Sequence, residues 1–145
     1  MTIRPAQISD FAAVSDLLEQ LGRGRVTHET YAACRDVYAA QLADPRTNHQ
    51  VAVDERGNVV GFCALHYRTR LNRARPQAWI PDLIVTPTAR GRGTARAILD
   101  KAERLAREHG CWEVTLESGY EHREAHLLYT AAGMQDTGKV FRKAL

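Results

Sequence analysis

Arg90, Gly91, Arg92, Gly93, Thr94, Ala95 and Arg96 form the group whose types and spacing point most directly to chemistry. A helix N-terminus exposes unpaired N–H groups and a partial positive charge, so acids usually collect there. The helix expected to begin near Gly93 has three arginines around its first turn and no acid. Such a turn makes sense when an anion arrives from outside, with Gly91 and Gly93 letting the backbone approach it and the arginines neutralising it. That is a phosphate site. A glycine turn followed by a solvated basic helix explains the same residues without a ligand.

Two carboxylates are candidate bases. Asp82 sits beside Pro81 amid apolar residues, where partial burial would raise its pKa toward a useful value. Glu117 lies on the polar face of the alternating run Trp112 to Glu117, where a salt bridge or plain exposure would account for it equally well.

The elements that must hold these residues can be read in turn. Leu83, Ile84 and Val85 form a short β-prone run closed by Pro87. After Gly93, residues Ala95, Ile98, Leu99, Ala102, Leu105 and Ala106 recur at helical spacing until Gly110. Pro81 cannot donate to a ladder, so its strand, Gln77 to Thr86, is an edge or contains a bulge. Upstream, Thr2 to Ala6 reads as a first strand. Ser9 or Asp10 caps a helix whose apolar face is Phe11, Val14, Leu18 and Leu21. The basic loop Gly22-Arg23-Gly24-Arg25 leads to a second helix from about Thr27, with Tyr31, Cys34, Tyr38 and Leu42 on one stripe and Asp44-Pro45 at its end. Asn48 to Asp54 and Val59 to Tyr67 make a hairpin whose register buries Val51 and Val53. A helix from about His122 to Ala132 follows, with Ala125, Leu128, Tyr129 and Ala132 on one face. Met134 to Leu145 then reads as a last hairpin around Thr137-Gly138. This mixture of strands and helices predicts an α+β fold with helices packed on a central sheet.

Arg90-x-x-Gly93-x-Ala95, placed directly after Leu83-Ile84-Val85, resembles the acetyl-CoA signature of the GNAT superfamily of N-acetyltransferases, Gln/Arg-x-x-Gly-x-Gly/Ala. Ala125-His126-Leu127-Leu128-Tyr129 followed by Gly133-Met134 resembles the family's second block, a helix that carries a tyrosine and ends in Gly-Phe. The order of elements matches over the whole chain. The resemblance implies a single domain over residues 1–145, with a mixed, mostly antiparallel sheet of about six or seven strands, a splayed and bulged fourth strand and about four flanking helices.

It also implies a reaction, acetyl transfer from acetyl-CoA to an amine by direct attack within a ternary complex. Leu83, Ile84 and Val85 would offer main-chain hydrogen bonds to the pantetheine arm, and one of their N–H groups would polarise the acetyl carbonyl. Residues 90 to 96 would hold the pyrophosphate. Tyr129 matches the family's general acid, a phenol able to protonate the departing thiolate; a core tyrosine on an apolar stripe is the alternative. Some members carry a catalytic glutamate where Glu117 stands, whereas many move the proton through ordered water. The sequence departs from the pattern at three points. Ala95 replaces the commoner second glycine, His122 stands where many members have an asparagine that contacts the cofactor arm, and Met134 replaces phenylalanine. His122 or Arg123 is the candidate to supply the lost contact. The first two helices correspond to the family's lid over the acceptor, so Tyr31, Tyr38 and the Arg23/Arg25 loop are either substrate contacts or core stripe and solvated loop.

Composition narrows the partners. The net charge of +3 is too mild for a nucleic-acid surface, and no basic patch is interleaved with aromatics. No apolar run reaches the roughly 20 residues needed to span a membrane, and residues 1–20 lack a signal-peptide core, so a cytoplasmic protein is expected. Cys34, Cys63 and Cys111 are odd in number and lack metal spacing, which reads as reduced thiols, with Cys34 and Cys63 buried among apolar neighbours. The loop from Arg68 to Pro76 holds four arginines and no acid, to dock an acidic substrate or the cofactor's 3′-phosphate end, or simply to be solvated. The expected acceptor is a small-molecule amine. A protein or peptide N-acetyltransferase and a non-catalytic acyl-CoA sensor are the rival readings, and a homodimer is expected by analogy with the family.

Overall fold

The computed structural model describes residues 1–145. Its strands are β1 (Thr2–Pro5), β2 (Gln50–Val53), β3 (Val59–Arg68), β4 (Gln77–Val85) and β5 (Val114–Leu116). Its helices are α1 (Phe11–Gln20), α2 (Tyr31–Ala43), α3 (Thr94–Glu108) and α4 (Arg123–Ala131). The sheet runs β1-β2-β3-β4-β5, antiparallel up to β4 and parallel between β4 and β5. No helix is long and apolar enough to cross a membrane.

Both faces of the sheet are covered. On one, Ile98, Leu99, Ala102 and Ala106 of α3 pack on Cys63, Leu65, Ala78, Ile80 and Val85. On the other, Phe11, Val14 and Leu17 of α1 and Tyr38 of α2 pack on Val51, Phe62, Ala64 and Ile84. Leu17, rather than the expected Leu18, is the third fully buried residue of α1; Leu18 and Leu21 are half-buried beside it. The two-sided cover also explains β2, where Val51 and Ala52 are both buried and Val53 is only half-buried: a strand sandwiched between helix layers need not alternate. Gly61 of β3 lets α3 approach, because a Cβ there would lie 2.8 Å from Ile98 Cδ1.

Asp10 fixes the entry to α1. Its carboxylate pairs with both Nη groups of Arg4 at 2.7 and 2.9 Å and accepts the Gln7 N–H at 2.8 Å. The Arg4 guanidinium holds the Asp10 carboxyl below its ordinary range. Tyr38 donates its hydroxyl to the Gln7 carbonyl at 2.8 Å and is a core residue.

The sheet has five strands, not six or seven. The expected last hairpin does not form, and residues 135–145 are exposed with no ladder partner. Apart from Val140, Phe141 and Leu145 that segment is polar or small, and two strands with no apolar face to bury are marginal on their own. The fourth strand is bulged as expected. Ala64 pairs with Asp82 and His66 with Trp79, so β4 carries one extra residue at Pro81.

Candidate active site

Pairing between β4 and β5 ends at Ile80 and Leu116, beyond which β4 runs on with a free edge. A cleft of about 590 Å³ opens there, bounded by that edge, the start of α3, the end of β5 and α4. It sits at the carboxyl ends of the two parallel strands, where open α/β sheets bind ligands.

The register of β4 decides which of its groups face the cleft. Thr86 donates to the Val60 carbonyl at 2.8 Å, so in an antiparallel ladder Ile84 and Asp82 also turn their main chain toward β3. Leu83 and Val85 turn theirs the other way, into the cleft. Pro81 and Val85 on this edge give their carbonyls to Arg23 Nη2 at 3.1 Å and Arg90 Nε at 3.0 Å. The Leu83 and Val85 N–H groups are left as donors. Leu83, Ile84 and Val85 all line the cleft, as expected, but Ile84 spends its main-chain bonds on the ladder.

Beyond the strand, Gly91 and Gly93 adopt φ values of 73° and 77°, which L side chains rarely tolerate. The first backbone bond of α3 runs from Ala97 to the Gly93 carbonyl, and no N–H between Gly91 and Arg96 finds an acceptor in the protein. The result is a concave row of donors at a helix N-terminus with no acid in its first turn. Gly91, Gly93, Ala95, Arg90 and Arg96 line the cleft. Thr94 lines it too, but its buried hydroxyl is tied to the Ala89 carbonyl at 3.3 Å. Arg96 holds Asp100 at 2.7 Å and reaches the Ala131 carbonyl at 3.4 Å, joining α3 to α4. Arg92 points elsewhere and is exposed, so the cleft does not include it.

Tyr129 comes from α4, half-buried against the α3-side core, with its ring on the cleft wall. Burial pushes its phenol up to about 12, and no hydrogen bond contributes to that shift. Glu117 follows β5 and lines the cleft as an exposed carboxylate. Because Val114 and Leu116 pack toward α3, Thr115 and Glu117 face the α1 and α2 side of the sheet. His122 precedes α4 on the same wall, its Nε2 3.3 Å from Glu121 Oε1.

Asp82 is held apart from these residues. Its carboxylate accepts from Arg23 Nε at 2.7 Å and does not line the cleft. The reading from burial beside Pro81 missed this guanidinium partner, 59 positions away. Tyr31 and Tyr38 do not line the cleft either. Of the four arginines between 68 and 75, Arg68 bonds Gln77 and covers the Trp79 ring, Arg73 covers Trp112, and Arg75 caps the Gly110 and Cys111 carbonyls. These three brace the loop. Conversely, sequence reasoning overlooked Leu21, Ser118, Glu121 and Glu124, all on the cleft wall. Glu121 and Glu124 follow the end of β5, and the parallel pairing with β4 that puts them at the cleft is visible only in the fold.

The family model described as Acetyltransferase (GNAT) family matches residues 11–134. An aminoalkylphosphonate N-acetyltransferase of Salmonella typhimurium is 32% identical over 143 residues, spanning 99% of this chain and 90% of that protein. An aminoglycoside N(6')-acetyltransferase type 1 of Stenotrophomonas maltophilia is 28% identical over 102 residues, 68% of this chain and 67% of that one. A solved structure of a protein described as a putative acetyltransferase, from Agrobacterium tumefaciens, superposes with a TM-score of 0.85 at 27% identity over all of both chains. With a donor-lined cleft where the two matching sequence blocks meet, the chain belongs to the GNAT family and is an N-acetyltransferase.

Proposed function

We propose that residues 1–145 act as one domain that transfers an acetyl group from acetyl-CoA to the primary amine of a small molecule, by direct attack in a ternary complex. The observation that carries this reading is the continuous set of unsatisfied backbone donors, Leu83 and Val85 on the β4 edge and residues 91 to 96 around the helix start. Acetyl-CoA is a long molecule with amide carbonyls in its arm and a pyrophosphate beyond them, and the donors fit it in that order. Glycines at positive φ with no neighbouring atom within 4 Å where a Cβ would stand leave room for a phosphate. When bound, it supplies an activated acetyl thioester.

The chain's own groups then divide the work. The Leu83 N–H polarises the acetyl carbonyl. Glu117, on the acceptor side of the sheet, takes the proton that an ammonium must lose before it attacks, directly or through water. Tyr129 keeps its proton over the working pH range and gives it to the departing sulfur. Two of the named relatives act on small amines, an aminoalkylphosphonate and an aminoglycoside, which supports the same class of acceptor here.

The test is acetyl-CoA-dependent thiol release over a panel of small amines, amino acids, aminoglycosides and basic peptides, beside a thermal-shift titration with acetyl-CoA. Stabilisation together with amine-dependent release is expected. Release from peptides alone would move the acceptor to proteins, stabilisation without release would leave a sensor, and no stabilisation would remove the cofactor assignment. We also infer a homodimer, because Val140, Phe141 and Leu145 stand exposed at the end of the chain.

A further inference from the structure

Arg23 is a charged cleft residue to which acetyl transfer, as described above, gives no role. It sits on the loop between α1 and α2, between Gly22 and Gly24, whose φ values are 85° and 93°. From there it reaches across to β4. Nε donates to Asp82 Oδ1 at 2.7 Å and Nη2 donates to the Pro81 carbonyl at 3.1 Å. A guanidinium has five N–H donors in a rigid fork. Asp82 takes the Nε side and Pro81 one hydrogen of Nη2, so the Nη1 and remaining Nη2 hydrogens, which match two oxygens of one anion, have no protein partner. The side chain is 45% exposed and lines the cleft.

Carboxylates line the cleft as well: Glu117 at the end of β5, with Glu121 and Glu124 farther along, interleaved with His122 and Arg123. An acceptor between Arg23 and Glu117 meets a cation at one end and a carboxylate at the other. Pro81, which anchors Arg23, and Leu83, whose N–H marks the acetyl carbonyl, are two residues apart, roughly 7 Å along an extended strand. A molecule that bridges them carries its amine and its anion within a few bonds of each other.

We propose that Arg23 is a specificity-determining residue that binds an oxyanion on the acceptor, so that short aminoalkyl acids are the preferred substrates, with Asp82 as the positioning residue that holds the guanidinium. This rests on the acetyl-transfer reading above. It also gives the Arg23–Asp82 pair a purpose that an exposed surface bridge would lack.

The experiment compares kcat/KM for aminoethylphosphonate, beta-alanine and propylamine, which lacks an anionic group, at saturating acetyl-CoA, in the natural protein and in Arg23→Gln, Arg23→Lys and Asp82→Asn, each checked for an unchanged melting profile. The natural protein should favour the acidic amines by roughly 10- to 100-fold over propylamine, the value of one charge-assisted pair. The phosphonate and carboxylate arms show which oxyanion fits. Arg23→Gln should bring the ratio toward one, chiefly through KM for the acidic amines; Arg23→Lys should keep part of it and Asp82→Asn should narrow it. No preference in the natural protein, or a preference that survives Arg23→Gln, overturns the proposal and leaves acetyl transfer standing. Absence of release from every amine overturns acetyl transfer instead. Calorimetric binding of aminoethylphosphonate then decides: binding abolished by Arg23→Gln supports the proposal, and no binding, or binding indifferent to the variant, overturns it.

Discussion

Tyr129 and Glu117 reach the same cleft from opposite faces of the sheet, and their surroundings suit opposite proton tasks. Tyr129 is packed among apolar side chains with its phenol pushed up to about 12, so it holds its proton through neutral and mildly alkaline pH. Tyr129→Phe should lower kcat by roughly 100-fold or more while acetyl-CoA affinity stays within about twofold. An unaltered kcat would return the ring to a packing role. Because the folded pKa lies above the ordinary value near 10, an alkaline limb due to this residue would lie near pH 12. A limb between pH 8 and 10 would therefore belong to the acceptor or to another group. Glu117→Gln should lower kcat/KM by roughly 10-fold or more, which steady-state kinetics on both proteins would reveal. At this scale the sequence was informative wherever a position depended on neighbours along the chain. The place of Tyr129 on the cleft wall and the positive φ of Gly91 and Gly93 were legible because their motifs are local. Asp82 was not, because its partner lies in a loop that the sequence presents only as flexible and basic.

Among the elements, the junction of β4 with α3 is the most demanding. Gly93 at φ 77° ends the turn and begins the helix, with open space where a side chain would project. Gly93→Glu places a bulky anion in that space, and the expected outcome is a loss of acetyl-CoA affinity of at least 100-fold by calorimetry. The strained backbone alone should cost about 1 kcal/mol of stability, so a melting profile separates blocked binding from misfolding. Unchanged binding would dismiss the phosphate assignment. Pro81 announced the bulge in advance, since proline has no N–H for a ladder. The terminal hairpin failed for the converse reason: turn residues were present at Thr137-Gly138, but no sheet face needed the flanking residues. Turn chemistry permits a hairpin, whereas buried area is what holds one.

Across the whole molecule, His49 ties three elements together. Its ring accepts the Leu65 N–H on Nδ1 at 3.0 Å and lies 2.7 Å from Gln41 Oε1 through Nε2, joining β2 to β3 and to the end of α2. That assigns the neutral tautomer with its proton on Nε2. Burial, with His66 close by, pushes its pKa down to about 4. The unfolded chain then binds the proton more readily than the native one between pH 6.5 and 4. Stability is complete above pH 6.5 and declines as pH falls through this window, by about 3 kcal/mol in all. Urea midpoints at pH 7 and pH 5 should show the decline, and His49→Gln should flatten it. Nothing local in the sequence marks this histidine, because its partners come from two other segments, α2 and β3. The exposed tail bears on assembly: sedimentation should give a dimer that shifts toward monomer when residues 135–145 are removed, and a full-length monomer would reject it.

The β4 edge and the turn after it also have a thermodynamic meaning for the native state. Backbone amides that find no acceptor in the protein leave some of the fold's hydrogen bonding to be completed by a ligand. The Leu83 and Val85 amides and those from Gly91 to Arg96 should therefore exchange with deuterium quickly in the free enzyme, although the strand and helix around them are well packed. With acetyl-CoA the same amides should slow together, and the pattern of slowing along 83–96 would trace the cofactor's path through the cleft amide by amide.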